Sequence, residues 1–232
     1  MDVGLTQSLL PAEMRARLAE ILPAGRIVRY APRETLFSQG EPSDHIAILL
    51  AGIVKITAST ANGREALLGL RGAGEIVGEF AALYHSPRSA TVRALDNVQA
   101  RLVPASAFIA VLHRHPDALF GLLHAILGRL RESDRRRLEF AGFDVRERVA
   151  RLLVELASTH GEPAADGSVA IGLPLSQAEI AGATGASREA VAKALRTLRA
   201  CGAVATSRQR ITLLDREALM RICTQTAPRD RR

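Results

Sequence analysis

The hydrophobic pattern of this 232-residue chain changes at His115, and the change divides the chain into two kinds of structure. Over about residues 25–103, short runs rich in valine, isoleucine, leucine and threonine alternate with turn signals such as QGEPSD and RGAGE. Many short strands at this spacing are typical of an antiparallel sandwich or β-roll. A first helix is expected ahead of them, at about residues 11–22. Helical patterns follow the strands, so the predicted fold class is α+β.

After His115, seam residues recur at alternating steps of four and three. The positions are Leu119, Leu123, Ile126, Leu130, Ser133, Arg137 and Phe140. This period indicates a coiled-coil seam, and Pro116 suits the first turn of a helix. We therefore predict a long dimerisation helix over residues 116–142 and a homodimer joined through residues 119–140. A helix that packs on its own domain would have a similar pattern, and this alternative stays open.

The C-terminal third is predicted to be compact and helical, after a turn-rich joint, EPAADGS. Ser176 and Glu179 have the spacing of a capping box, Gly185 ends the first short helix, and Ser187 can cap the second. Two helices joined by a glycine-containing turn make a helix-turn-helix, whose second helix enters the major groove of DNA. A helical hairpin with a solvated charged face is the alternative.

The start of the second predicted helix carries Arg188, Glu189 and Lys193. Arginine can donate two hydrogen bonds to guanine, and glutamate can accept one from cytosine N4. The segment ATSRQRITLL then resembles a β-hairpin wing, with Arg208 and Arg210 near the phosphates of the DNA backbone.

The net charge of +7 and the sequence pI near 10.5 fit a nucleic-acid partner. The longest apolar run, residues 46–54, is far too short to span a bilayer, and the N-terminus lacks the basic region of a signal peptide. We therefore expect a cytoplasmic protein without a membrane partner. Cys201 and Cys223 form neither a disulfide framework nor an iron–sulfur ligand set. Nothing resembles a catalytic nucleophile–base pair or a metal cluster, so an enzyme, a cofactor or a metal is not expected.

One charged pair stands out in the stretch GEFAALYHSPRSAT, which is otherwise mostly small or apolar. Arg88 could bind a phosphate through two hydrogen bonds, with Ser89 adding a hydroxyl donor. Glu79 is the kind of acceptor that binds ribose hydroxyls. An internal Glu79–Arg88 ion pair is the alternative, and the residues alone do not decide between the two.

Two stretches resemble motifs of one protein family. GEFAALYHSPRSATVRA resembles the phosphate-binding cassette of cyclic-nucleotide-binding domains, and GASREAVAKALRTLRACGAV resembles the recognition helix of the CRP/FNR family of bacterial transcription regulators. The resemblance covers about residues 10–220. It implies a jelly-roll, cyclic-nucleotide-binding β-roll domain at residues 1–115, the dimerisation helix at 116–142, and a winged helix-turn-helix DNA-binding domain at 143–232.

The resemblance also implies roles for individual residues. The nucleotide-binding residues would be Leu68, Ile76, Gly78, Glu79, Phe80, Ala81, Arg88, Ser89, Ser133 and Asp134. The DNA-binding residues would be Ser176, Gln177, Ser187, Arg188, Glu189 and Lys193. The family often has arginine where Lys193 stands, and lysine keeps the charge without the planar fork. Because Arg188 and Glu189 match the family, the expected half-site resembles TGTGA.

Ser133 and Asp134 fall where cAMP-responsive members carry a pair that reaches adenine N6. An ionised Asp134 could accept from N6 and would face guanine O6 unfavourably, which favours cAMP over cGMP. The alternative is that Asp134 only pairs with Arg131, Arg137 or a partner arginine.

The resulting prediction is a homodimeric transcription regulator gated by cAMP, with promoter DNA and RNA polymerase as partners. Open alternatives are cGMP, cyclic di-GMP, a haem bound through His85, or activity without ligand. A cyclic-nucleotide module that regulates an enzyme, a channel or another partner is the second class of function, which the helix-turn-helix disfavours.

Overall fold

The computed structural model describes residues 25–59, 65–207 and 210–224. The helix expected at about residues 11–22, the ANGRE turn, Arg208 and the terminal segment QTAPRDRR fall wholly or partly outside these ranges. The chain divides into two compact units, Met1–Glu132 and Ser133–Arg232.

The described part of the first unit contains a β-roll. Its strands are β1 (Arg26–Tyr30), β2 (Thr35–Phe37), β3 (His45–Ala51), β4 (Val54–Ser59), β5 (Glu65–Arg71), β6 (Ile76–Val77), β7 (Thr91–Ala94) and β8 (Val98–Pro104). They form two four-stranded sheets, in the orders β1-β8-β3-β6 and β2-β7-β4-β5. All neighbouring strands in these two sheets pair antiparallel, as the sequence predicts.

Strand β3 explains why the longest apolar run of the sequence is not a membrane segment. Successive side chains of a strand point to opposite faces. Ile46 and Ile48 pack in one core cluster, and Ala47 and Leu49 pack in another. Both faces of β3 are therefore buried, which requires apolar residues at consecutive positions. No helix in the described ranges is both long and apolar enough to cross a membrane.

Three helices accompany the described strands of the roll: α1 (Glu79–Tyr84), α2 (Ala105–Arg114) and α3 (Pro116–Gly142). Helix α3 has the bounds predicted for the long helix. The sequence analysis did not identify α2, which lies directly between the last strand and α3. Its buried residues Phe108, Val111 and Leu112 join the same core cluster as Ile46.

Helix α3 has two different apolar faces. Ala118, Leu122 and Ala125 pack into the core of the first unit. The seam residues Leu119, Leu123, Ile126 and Leu130 lie on another face and are 38–55% exposed. One face of α3 thus packs on its own domain, as the alternative interpretation expects, whereas dimerisation through the seam face stays a prediction.

The second unit combines helices with a small sheet. The described elements after α3 are α4 (Val145–His160), β9 (Gly161–Pro163), β10 (Val169–Ile171), α5 (Gln177–Thr184), α6 (Arg188–Ala200), β11 (Val204–Ser207), β12 (Arg210–Leu213) and α7 (Arg216–Thr224). A capping box formed by Asp144 and Glu147 begins α4.

The joint EPAADGS is not only a turn, which corrects the sequence analysis. Strands β9 and β10 pair across it, and β10 pairs in turn with β12, giving the order β11-β12-β10-β9. Each strand of this hairpin has three residues, too few for an alternating pattern to be recognised. The pairing with β12, about forty residues later, stabilises the hairpin and is invisible to a local pattern.

Candidate functional site

A cavity of about 250 Å³ lies in the first unit, beside α1. Strands β2, β4, β5, β6 and β7, helices α1 and α3 and the segment after α1 contribute to its walls. Its lining residues are Phe37, Ile56, Leu68, Arg71, Val77, Gly78, Glu79, Phe80, Ala81, Arg88, Ser89, Ala90, Val92 and Arg129. The stretch that the sequence singled out for its charged pair therefore forms much of the cavity wall.

Gly78 makes the close packing at this cavity possible. It precedes α1 with a φ of 86°, in the left-handed region that favours glycine. A Cβ atom at this position would lie 2.5 Å from Arg88 Nη1 and 2.9 Å from Phe37 Cε2. Any side chain at position 78 would thus displace the guanidinium of Arg88.

Arg88 is buried, with 4% of its surface exposed. Its Nη1 donates to the Gly78 carbonyl oxygen at 3.3 Å, and its Cζ lies 3.7 Å from the centroid of the Phe37 ring. Its Nη2 has no hydrogen-bond partner among the described residues. Burial lowers the pKa of the Arg88 guanidinium, and the charges of Asp44, Glu41 and Glu79 act in the opposite direction. A guanidinium nevertheless stays charged, so this cavity offers a positive charge with an unused donor.

Glu79 pairs with Arg129 of α3. Arg129 also donates from Nη2 to the Ile76 carbonyl oxygen at 3.4 Å. The Glu79–Arg88 ion pair considered from the sequence is not formed in the part of the chain that the structure describes. Glu79 and Arg129 thus offset each other, and Arg88 forms no ion pair among the described residues.

Sequence reasoning missed Arg129. A signal for it exists in α3, because Ala118, Leu122 and Ala125 are buried at steps of four and three. The next two steps reach Arg129 and the buried Glu132. A charged residue on a stripe that faces a core usually has a specific partner.

The other predicted nucleotide-binding residues have different surroundings. Leu68, Phe80, Ala81 and Ser89 line the cavity, with Leu68 and Phe80 about half exposed. Ile76 does not line it, because its side chain packs in the core cluster with Ile46.

Ser133 and Asp134 belong to the second unit. Asp134 forms an ion pair with Arg137, with 3.6 Å between Oδ1 and Nη1, and its side chain is 58% exposed. This is one of the pairings that the sequence left open as an alternative to a contact with the base.

The helix-turn-helix has the local structure expected from its sequence. The Ser176 hydroxyl accepts from the Glu179 backbone N–H, and the Glu179 carboxylate accepts from the Ser176 N–H at 2.6 Å. Gly185 ends α5 with a φ of 59°, and the Ser187 hydroxyl accepts from the Ala190 N–H at the start of α6. Capping residues thus fix the N-terminal ends of both helices.

Helix α6 separates its apolar and polar residues. Val191, Leu195 and Leu198 are buried, whereas Ser187 and the predicted base-reading residues are exposed. The base-reading residues are Arg188, Glu189 and Lys193. Hydrogen bonds from its own backbone N–H and from the Ser187 hydroxyl lower the pKa of the Glu189 carboxyl. The first turn of α6 therefore presents an ionised acceptor beside positively charged donors. Gln177, the first residue of α5, is likewise exposed.

Strands β11 and β12 form the predicted hairpin, with Ser207 opposite Arg210. Arg210 pairs with Glu162 of β9, with 3.4 Å between Nη2 and Oε2. A phosphate would have to compete with Glu162 for this arginine. Sequence reasoning did not connect these two residues, because they lie on strands far apart in the chain.

Two families match the chain, one over each region. The cyclic nucleotide-binding domain family matches residues 27–115, and the Crp-like helix-turn-helix domain family matches residues 147–222. A CRP-like cAMP-activated global transcriptional regulator of Mycobacterium tuberculosis is 30% identical over 218 residues, covering 94% of this chain and 95% of the relative. The chain belongs to the CRP/FNR family. It is thus a DNA-binding transcription regulator with a cyclic nucleotide-binding domain, and not an enzyme.

Other relatives of this CRP/FNR regulator share its architecture. The global nitrogen regulator of Synechocystis is 27% identical and covers 94% of this chain and 98% of its own. The solved structure of the c-di-GMP responsive global regulator CLP of Xanthomonas campestris is 25% identical, with a TM-score of 0.77 and coverage of 86% and 99%. A CRP-family regulator from Thermus thermophilus is 28% identical, with a TM-score of 0.73 and coverage of 86% and 97%.

In this CRP/FNR regulator, the described residues contain no cluster of three or more histidine, cysteine, aspartate or glutamate side chains that could hold a metal ion. His85, considered as a haem ligand from the sequence, ends α1 in the left-handed region with a φ of 50°. Cys201 and Cys223 are both free thiols.

Proposed function

We propose that this protein is a homodimeric transcription regulator whose binding to pseudo-palindromic promoter sites is controlled by cAMP. The observation that carries the proposal is Arg88, which lines a cavity beside Glu79, is buried, and keeps a donor without a partner among the described residues. A buried cation with an unused donor is costly unless a ligand completes its surroundings.

Each part of a cyclic nucleotide has a candidate partner in the cavity. The cyclic phosphate would accept from Arg88 and Ser89, and a ribose hydroxyl would donate to Glu79. The half-exposed side chains of Leu68 and Phe80 offer apolar surface for the base. A close relative in M. tuberculosis is named as cAMP-activated, which supports cAMP over other nucleotides.

Recognition of the base is assigned to Ser133 and Asp134, acting in the dimer. The Asp134 carboxylate would accept from adenine N6 and repel guanine O6. Its ion pair with Arg137 involves two exposed side chains, and such pairs contribute little to stability. Replacing the Asp134–Arg137 ion pair by a contact between Asp134 and the base would therefore cost little free energy.

Dimerisation is assigned to residues 119–140. The four exposed leucine and isoleucine residues of the seam in the first unit form a stripe that a second copy could bury. Arg188, Glu189 and Lys193 would then read two half-sites about 10 base pairs apart, each resembling TGTGA. Contact with RNA polymerase and a cytoplasmic location belong to the same proposal.

Control by the ligand follows if cAMP binds more tightly to the dimer whose recognition helices match the spacing of the half-sites. The ligand then shifts the population toward that arrangement, and DNA in turn raises the affinity for the ligand.

Calorimetric titration with cAMP, cGMP and cyclic di-GMP tests the choice of ligand, and we expect cAMP to bind most tightly. Cyclic di-GMP is the main competitor, because a relative of similar structure is named as responsive to it. Tighter binding of cyclic di-GMP would replace cAMP in the proposal. Footprinting with and without cAMP tests whether the nucleotide controls DNA binding. A single unrepeated protected site would contradict the dimer.

A further inference from the structure

Arg88 is buried but forms no ion pair with a carboxylate among the described residues, although the charges of Asp44, Glu41 and Glu79 act on it from beyond ion-pair distance. Within the described residues, its direct partners are the Gly78 carbonyl oxygen and the face of the Phe37 ring. Glu79, the acidic residue nearest along the cassette, pairs with Arg129 instead. The neutral ring of Phe37 therefore lies against the guanidinium, and no described carboxylate occupies its donors.

A ring face and a carboxylate hold a guanidinium in different ways. The negative face of an aromatic ring attracts a cation, more strongly where both are buried. It leaves the net charge and the in-plane N–H donors of the guanidinium available. A carboxylate would neutralise the charge and occupy the same donors that a phosphate needs.

The Phe37 ring is itself well fixed. It is 3% exposed and packs in the core cluster that contains Val77 and Val92. The ring of His45 lies edge-on to it, with 5.3 Å between the centroids and an interplanar angle of 69°. The left-handed backbone of Gly78 leaves room for Phe37 and Arg88 to meet. The ring can thus fix the plane of the guanidinium before any ligand binds.

We propose that Phe37 is a positioning residue for the ligand, whose ring face holds the Arg88 guanidinium in the orientation that the cyclic phosphate requires while leaving its charge unpaired. The assignment rests on the proposed function, because it takes Arg88 as the phosphate ligand. Phe37 acts through Arg88, and its effect should be the same for cAMP and cGMP, which share the phosphate.

The test is calorimetric titration of the full chain with cAMP and with cGMP. Phe37→Leu keeps an apolar side chain but removes the ring face, and we expect roughly tenfold weaker binding of both nucleotides. Trifluorophenylalanine at position 37 keeps the shape of the ring and weakens its negative face. We expect it to weaken the binding of both nucleotides less than Phe37→Leu does. Phe108→Leu is the matched control, because Phe108 is fully buried in the other core cluster, and it should change stability without changing affinity.

Two results would overturn the role of Phe37. One is wild-type affinity in Phe37→Leu. The other is weaker nucleotide binding in Phe37→Leu together with wild-type affinity in the fluorinated variant. That result would mean that Phe37 only fills space. By contrast, a wild-type protein that binds neither nucleotide would overturn the proposed function itself.

A measurement without ligand tests the contact directly. Protons of Arg88 that lie over the ring should resonate upfield of those of other arginines, and the shift should disappear in Phe37→Leu. The Arg88 signals are assigned by their loss in Arg88→Lys. Ordinary chemical shifts for Arg88 in the wild-type protein would overturn the positioning role, whether or not cAMP binds.

Discussion

The cavity of the first unit and helix α6 of the second both depend on arginine and glutamate, but they hold these residues differently. In the cavity, Arg88 and Glu79 are buried, and their orientations are fixed by Phe37, Gly78 and Arg129. On α6, Arg188 and Glu189 are exposed. A buried, fixed charge suits one small ligand of defined shape, whereas exposed charges suit a long polyanion whose contacts are numerous and individually weak.

This contrast has a consequence for the size of mutational effects. Removing the buried charge of Arg88 from the cavity should have a large effect, because its guanidinium is held in one orientation against Phe37. Removing an exposed charge from α6 should change preference at one base pair and leave the other contacts in place.

Arg88→Leu should have the largest effect. It removes the phosphate donor, and a hydrogen bond to a charged group contributes roughly 1.5–3 kcal/mol, which is about 10- to 150-fold in affinity for cAMP. The thermal midpoint of the ligand-free protein should not fall, because the variant also removes a buried cation without a carboxylate partner. Calorimetry and thermal unfolding measure the two quantities.

Arg29→Leu is the control for this variant, since Arg29 is exposed on β1 and does not line the cavity. If Arg88→Leu titrates like the wild type, Arg88 does not bind the phosphate.

Gly78→Ala should have the next largest effect, roughly tenfold weaker binding of cAMP. The left-handed backbone costs an alanine about 1–2 kcal/mol, and the new Cβ would also displace Arg88. Gly167→Ala separates the two causes, because Gly167 belongs to the second unit and has a φ of 82° but nothing within 4 Å of its Cβ position. It should lower stability by a similar amount and leave the affinity unchanged. Equal affinities in the two variants would mean that Arg88 need not be held in place.

Glu189→Ala tests the exposed charges of α6. It should relax the preference at one base pair of each half-site by about 1–3 kcal/mol while the affinity for the remaining positions is kept. Competition binding with all single substitutions of the half-site measures this. Glu217→Ala, which removes an exposed acid from α7, should leave the preferences unchanged. A uniform change at every position would show that Glu189 acts on general affinity and reads no base.

Asp134→Ala should have the smallest effect, a reduction of the preference for cAMP over cGMP by a few-fold. The reason is that Asp134 is exposed and already paired with Arg137. Titration of both nucleotides into the variant and the wild type gives the ratio. Arg137→Ala is the complementary variant, because it frees the carboxylate and should keep or strengthen the preference. An unchanged ratio in Asp134→Ala would remove this residue from the base site.

What the sequence could predict depended on how local each signal was. The Ser176–Glu179 capping box, the Gly185 turn and the limits of α3 all follow from residues within a few positions of one another, and the structure has each of them. The cassette could be recognised for the same reason, since Gly78, Glu79 and Arg88 lie within eleven residues.

Contacts between distant segments could not be predicted in this way. Arg129 is fifty residues from Glu79, and Arg210 is forty-eight from Glu162. No periodicity relates such pairs, because their meeting depends on how helices and strands pack. Phe37 was missed for a related reason: an apolar residue in a strand is expected in a core, and its second role becomes visible only when Arg88 lies against it.

Strand β3 has a consequence for hydrogen exchange. Because both of its faces are buried, β3 cannot open without exposing two core clusters at once, so its amides should exchange only when the whole first unit unfolds. Strand β6 is bonded to β3, with Ala47 opposite Val77, and Gly78 follows immediately. The backbone that leads into the cavity is therefore attached to the slowest-exchanging part of the unit. Any local melting that accompanies arrival or departure of a ligand should begin on the other sheet, at the half-exposed Leu68 of its edge strand β5.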